Sequence, residues 1–340
     1  FKRYKWISSN PEVATVDEKT GLVTGISKGD ATITVTADDF SSTPVSASCK
    51  IGVKIVTPIT GMTFTEDKEL NQLGYGQEYQ IKYTLEPVDA TASLLTWTSD
   101  NPDMISVDKT GKLKVHTTKT ASAVITASYG PVVQNVTVTV ADGRFWYSLG
   151  NGLGNGQDNN WYLDGNGASV VSSDGKKTIV QMGSGYRGDL WLARSGKGKV
   201  VNVTPADYRY FAIKVGFKSQ LVPGKNKPNG CIKLEIFDDG IKKIGPEYFG
   251  TGGDANNRYE ILGASEISTT EPNVLYYDLQ SKYKTVTPTD WNQVFDLAQC
   301  KFVIADFPET AQTYDLYWIR SFKSIEELQA FVDSENNTNE

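Results

Sequence analysis

Apolar and polar residues alternate with a period of two along most of this chain. That period puts one side-chain face on a core and the other in water, the pattern of a β-strand. Ala31, Ile33, Val35 and Ala37 alternate with Thr32, Thr34 and Thr36, and Val136, Val138 and Val140 with Thr137 and Thr139. Phe211, Ile213, Val215 and Phe217 alternate with Ala212, Lys214 and Gly216, and Ile232, Leu234 and Ile236 with Lys233 and Glu235. Further strands are predicted at 274–279, 301–305 and 314–319. Asn-Pro and Asp-x-x-Thr-Gly segments punctuate them as turns. One helix is predicted, at the end of the chain. Ser324-x-x-Glu327 forms a capping box, and Ile325, Leu328, Phe331 and Val332 share a face. Residues 334–340 read as a disordered polar tail. The fold class is all-β with one short C-terminal helix.

The pattern also repeats. Trp6-Ile-Ser-Ser-Asn10-Pro11 through Val16-Asp17 recurs as Trp97-Thr-Ser-Asp-Asn101-Pro102 through Val107-Asp108. Thr20-Gly21 returns as Thr110-Gly111, and Ala31-Thr-Ile-Thr as Ala123-Val-Ile-Thr. The Trp at one place in both copies reads as a plug between two sheets. These residues resemble the bacterial immunoglobulin-like group 2 family. The first copy adds its Gly-x-Val-x-Gly-like segment, Gly21 to Gly25, and Lys28-Gly29-Asp-Ala31-Thr-Ile-Thr-Val35. The second lacks an equivalent of Lys28-Gly29. The resemblance implies small β-sandwiches serving as spacers or adhesion modules, with no catalytic residues. The second copy carries about 38 residues before its Trp and the first only five, so the first sandwich is expected to be incomplete, in a trimmed or proteolysed chain. The domains expected are 1–57 and 58–141, both Ig-like, and 142–340, a larger jelly-roll-like β-sandwich.

Charge and composition then exclude several functions. The formal net charge of −6 comes without a basic block, so nucleic acid is not an expected partner. No apolar run reaches the ~20 residues of a membrane span. The single histidine, His116, excludes a multi-His metal site and comes close to excluding a His-based triad. No cofactor and no metal are expected. Of three cysteines, Cys49, Cys231 and Cys300, the last two either bridge or stay as buried thiols.

The third domain is rich in rings: five of the seven Trp and 12 of the 17 Tyr follow residue 141, more than one core easily hides. Its ending, Tyr314-Asp-Leu-Tyr-Trp318-Ile-Arg-Ser-Phe-Lys-Ser-Ile-Glu-Glu-Leu328, resembles the closing strand and helix of C-terminal domains in the surface glycan-binding lipoproteins of gut Bacteroidetes that accompany starch-utilisation-type transporters. The resemblance implies a lipid-anchored location on the outer membrane facing outward, a polysaccharide ligand, and a glycan transporter complex as neighbour. It supplies no binding signature, so the site is argued from chemistry. Sugars are gripped by flat rings under their C–H faces and by planar polar groups on their hydroxyls.

Two stretches fit that chemistry. In Gly150 to Tyr162, Trp161 is expected to emerge from a Gly- and Asn-rich loop beside Asn160, with core packing as the alternative. In Gly183 to Leu192, Leu190 and Leu192 face inward and Trp191 outward, near Tyr186 and Arg187; the alternative is a Trp covered by another loop. Trp291 in its polar segment is a further candidate, as are Tyr248, Phe249, Asn256 and Asn257. Trp146 suits interdomain packing and Trp318 the core. Asp238-Asp239-Gly240 reads as a hairpin turn.

A glycosidase needs two carboxylates about 5–9.5 Å apart in divided roles. Glu235, Glu247 and Glu260 are available, but none lies in a catalytic signature. The expectation is therefore a non-catalytic surface protein that captures a neutral polysaccharide, for instance a β-glucan. The alternatives are an adhesive or structural protein with a protein ligand, and the non-catalytic part of a larger glycoside hydrolase.

Overall fold

The structure, a computed structural model, describes residues 3–38, 43–117, 119–153, 161–164, 167–184, 188–194, 197–198, 201–218, 231–238, 259–280, 292, 294–305 and 313–337. Strands dominate, and the chain is an all-β sandwich protein. It divides into two compact units, Phe1–Thr63 with Thr84–Leu94, and Phe64–Tyr83 with Leu95–Glu340.

In the first unit, strand Gly29–Asp38 lies between Arg3–Ser8 and Ser46–Val53, antiparallel to both. Val13, Ala14 and Ala31 form its small core, with Ile51 and Val53 packed against them. The repeat has a shared physical basis. Trp6 pairs with Val35, and in the second unit Trp97 pairs with Ala127, each four residues past the repeat's Ala. Asp17 Oδ1 accepts from the Thr20 backbone N–H (2.7 Å) and hydroxyl (2.8 Å). Asp108 Oδ1 does the same with Thr110, at 2.7 and 2.6 Å. The turn so closed lays a glycine under each indole. A Cβ on Gly21 would sit 2.7 Å from Trp6, and one on Gly111 would sit 2.6 Å from Trp97; both glycines have positive φ.

In the second unit a 17-residue strand, Val132–Ser148, carries the topology. Its first half pairs with Ala121–Tyr129, and its last residues pair with the closing strand Thr313–Phe322. The boundary expected after residue 141 falls inside it. The closing strand continues through Tyr210–Phe217 to Asn273–Asp278, and Thr178–Gln181 also joins it. The result is a ten-stranded sheet. A six-stranded sheet made of Tyr162–Asp164, Asp189–Arg194, Phe295–Ala305, Val201–Val203, Lys197–Gly198 and Cys231–Asp238 accompanies it. Phe211, Ile213 and Leu316 from the larger sheet join Leu190, Leu234 and Phe302 from the smaller one in a single buried core.

The outer face of the large sheet is partly covered by the C-terminal helix Ile325–Asn337. Glu327 N–H donates to Ser324 Oγ at 3.2 Å, as the capping box requires. Leu328, Phe331 and Val332 pack on Trp318, Phe322 and Trp146. The helix runs through residues 334–337, which the sequence reading assigned to a disordered tail. Lys214 and Trp318 hold that stretch by donating to Glu335 Oε2 at 3.1 and 3.0 Å. Trp146 lies between two cations, with the Arg144 and Arg320 guanidinium carbons each 4.5 Å from its ring centroid. Burial lowers Arg320 to about 10, so it stays charged at neutral pH, in contact with rings rather than carboxylates.

Cys231 lies opposite Ala305 and Cys300 opposite Ile236 on one antiparallel ladder. Five residue pairs, or roughly 16 Å of strand, separate them, far beyond the Cα distance of about 4.4–6.8 Å that a disulfide needs. The bridge is ruled out, and Cys300 is a buried thiol.

Candidate functional site

Trp161 immediately precedes strand Tyr162–Asp164 and obeys its alternation. Trp161 and Leu163 turn inward, and Tyr162 turns outward. The Trp161 ring is fully buried, 5.8 Å from both Tyr147 and Phe302 between centroids. The expectation that it emerges from a loop as an open ring is corrected: the strand after it sets the ring's direction.

Trp191 is placed as the alternation predicts, on the face opposite Leu190 and Leu192, which are both in the core cluster. It is nevertheless only 8% exposed, so the expected open ring is also corrected. Lys301 from the neighbouring strand puts its ammonium 4.5 Å from the indole centroid. The ladder pairs Tyr162 with Trp191 and Trp191 with Lys301. These three side chains therefore form one row across the outer face of the six-stranded sheet. Tyr162 and Lys301 are half-buried there. Asn160, Tyr186, Arg187 and Trp291 lie outside the described residues, as do Tyr248, Phe249, Asn256, Asn257, Glu247 and the turn at 239–240.

The sequence reading missed a second group, on the outer face of the large sheet beyond the helix. Asp315 is buried and accepts from Lys177 Nζ at 2.7 Å and Lys218 Nζ at 2.9 Å through Oδ2. Its Oδ1 has no hydrogen-bond partner among the described residues. The half-buried Tyr317 lies beside it, with Lys214 Nζ 5.6 Å from the ring centroid. Gly216 gives this group room, since a Cβ there would meet Asp315 at 3.3 Å and Tyr317 at 3.7 Å. The hydrogen bond to Asp315 raises Lys177, and desolvation raises the Tyr317 phenol. The available signal was the alternation in Tyr314-Asp-Leu-Tyr317, which puts Asp315 and Tyr317 on the face opposite Tyr314 and Leu316.

A third group sits at the far corner of the same face. Tyr210 and Tyr276 meet edge to face at 6.1 Å, and Arg209 forms a two-pronged pair with Asp278 at 2.7 and 2.6 Å. Among the described residues no group of three or more His, Cys, Asp or Glu is arranged to hold a metal ion. Among the same residues no helix is long and apolar enough to cross a membrane.

Comparison with known proteins adds the following. Over 127 residues, 37% of the chain, it is 30% identical to an uncharacterized protein of Clostridium acetobutylicum, and it spans 12% of that relative's length. Domains 4 and 5 of the S-layer protein SbsC share 25% identity, covering 41% of this chain and 70% of that one, with a TM-score of 0.18. The M60 catalytic domain with the CBM51-1 and CBM51-2 domains of Clostridium perfringens ZmpB shares 11% identity, covering 94% of this chain and 28% of that one, at a TM-score of 0.23. TM-scores this low do not establish a shared fold. Residues 2–47 match the bacterial Ig-like domain (group 2), as their repeat pattern implied. Residues 149–328, more than half of the chain, match a second family, and the chain belongs to it: the family described as domain of unknown function DUF4979.

Proposed function

We propose that this is a non-catalytic cell-surface protein whose C-terminal sandwich, residues 142–340, captures a polysaccharide, with the Ig-like modules 1–57 and 58–141 as spacers. The supporting observation is the outward row Tyr162, Trp191 and Lys301. The half-buried Tyr162 ring and the Lys301 ammonium, backed by the covered Trp191 indole, offer a sugar's C–H face an edge to pack on and its hydroxyls a donor. Tyr186, Arg187, Asn160 and Trp291 are proposed as further contacts. The ligand proposed is neutral, a β-glucan in the first instance. Attachment to the outer membrane by a lipid anchor and work beside a glycan transporter complex, as in Bacteroidetes lipoproteins, belong to the same proposal. They rest on the resemblance of residues 314–328.

Affinity electrophoresis of the full chain in gels containing barley β-glucan, xyloglucan or pullulan tests this. Retardation is expected in at least one gel. Trp191→Ala and Tyr162→Ala are expected to remove most of it in chains that still melt cooperatively, Trp191→Ala at a lower temperature because its ring is buried. Unchanged migration of the parent chain in every gel contradicts the proposal.

A further inference from the structure

The group around Tyr317 is unrelated to the row on the smaller sheet, since it lies on the outward face of the other layer. Each lysine in it keeps unused donors. An ammonium has three N–H groups; Lys177 and Lys218 each give one to Asp315, and Lys214 gives one to Glu335. The Lys218 side chain is about half exposed, while Asp315 beneath it is 2% exposed. What the surface offers a ligand is therefore a phenol ring with N–H donors at its rim. Charge decides the kind of ligand. Against Lys177, Lys214 and Lys218 stand Asp315 and Glu335 in direct pairs, with Asp174 and Glu271 acting on Tyr317 from nearby. Three ammonium groups face four carboxylates, so the patch carries no positive excess and gives an anionic polymer no net attraction. A polyol suits it: uncharged, with hydroxyls for the donors and a C–H face for the ring. Gly216 keeps a Cβ from crowding Asp315 and Tyr317 on this face.

We propose that this face is a second saccharide subsite, taking a neutral polysaccharide chain on Tyr317 with Lys177, Lys214 and Lys218 as hydroxyl donors. It extends the function proposed above to two faces of one domain. Two shallow sites on one chain would strengthen capture of a polymer well beyond either alone.

The test is affinity electrophoresis of the full chain against the same neutral polysaccharides, with polygalacturonate as the acidic comparison, at 20 and 500 mM NaCl. The expected results are a tenfold or greater loss of affinity for Tyr317→Ala, retention by Tyr317→Phe, and a smaller loss for Lys218→Ala. Trp191→Ala should keep residual binding, and the double variant Trp191→Ala/Tyr317→Ala none. Binding to neutral polymers should be the same at both salt concentrations. Parent-like binding by Tyr317→Ala with loss in Trp191→Ala overturns the second subsite and leaves the first reading standing. Loss in Tyr317→Ala with parent-like binding in Trp191→Ala does the reverse. Binding of polygalacturonate alone, abolished by salt, overturns the neutral ligand.

Discussion

Tyr75 meets Tyr147 edge to face, with ring centroids 5.0 Å apart and planes at 73°. The two belong to segments that the repeat pattern assigns to different domains, yet both rings lie in the same buried core. Around them, Leu73–Tyr75 runs parallel to the long strand, and Gly76 approaches Tyr147 so closely that a Cβ would lie 2.5 Å from the ring. Arg144 pairs with Glu69 at 2.8 Å and also donates to the Gln72 carbonyl.

This junction predicts that the second repeat copy and the C-terminal sandwich unfold together. Tyr75→Ala should destabilise by about 3–5 kcal/mol, the usual cost of truncating a buried aromatic, and shift a single transition in calorimetry. A chain cut before residue 142 loses Tyr75, Glu69 and most of the long strand, and should yield no soluble, cooperatively melting domain. Two separate transitions in the parent chain, or a well-folded 142–340 fragment, would contradict the coupling.

Acid should weaken the second module through Asp67. Hydrogen bonds from Tyr79, the Glu69 N–H and Lys82 lower its carboxyl to about 2. A carboxylate depressed on folding contributes stability above its unfolded pKa of about 3.9, and that contribution fades as pH falls toward 2. Asp67→Asn should therefore melt below the parent at pH 7, with the gap narrowing between pH 4 and 2. A gap that stays constant across that window would remove Asp67 from the account.

Thiol chemistry should follow burial. Cys49 is exposed, whereas Cys300 is buried and its thiol is pushed well up by desolvation. An aromatic disulfide reagent should titrate Cys49 at once in the native chain and Cys300 only after denaturant is added. Intact mass should show no Cys231–Cys300 bridge. Rapid native modification of Cys300 would mean that the six-stranded sheet opens.

Much of the fold was legible because local chemistry repeats. The Asp-x-x-Thr-Gly turn of the first copy, shortened to Asp-x-Thr-Gly in the second, and the Trp of each marked the repeat, and Gly21 and Gly111 under the indoles explain why. Alternation likewise gave the inward and outward sides of residues 211–217 and 190–192. Exposure was harder to read, because it depends on what another strand brings. Trp191 faces outward as expected, yet Lys301, distant in sequence, covers its ring. Trp161 was misread because the Gly- and Asn-rich sequence before it suggested a loop, whereas its ring follows the alternation of the strand after it. Tyr317 and Asp315 were overlooked because their partners Lys177 and Lys218 arrive from 138 and 97 residues away.

The most direct test of the central claim is a glycan microarray probed with the full chain beside its Trp191→Ala/Tyr317→Ala double variant. The account predicts signal on neutral polysaccharides, lost in a double variant that still melts cooperatively, at a lower temperature because Trp191 is buried. An array blank for the parent chain, or one equally bright for both proteins, would contradict it.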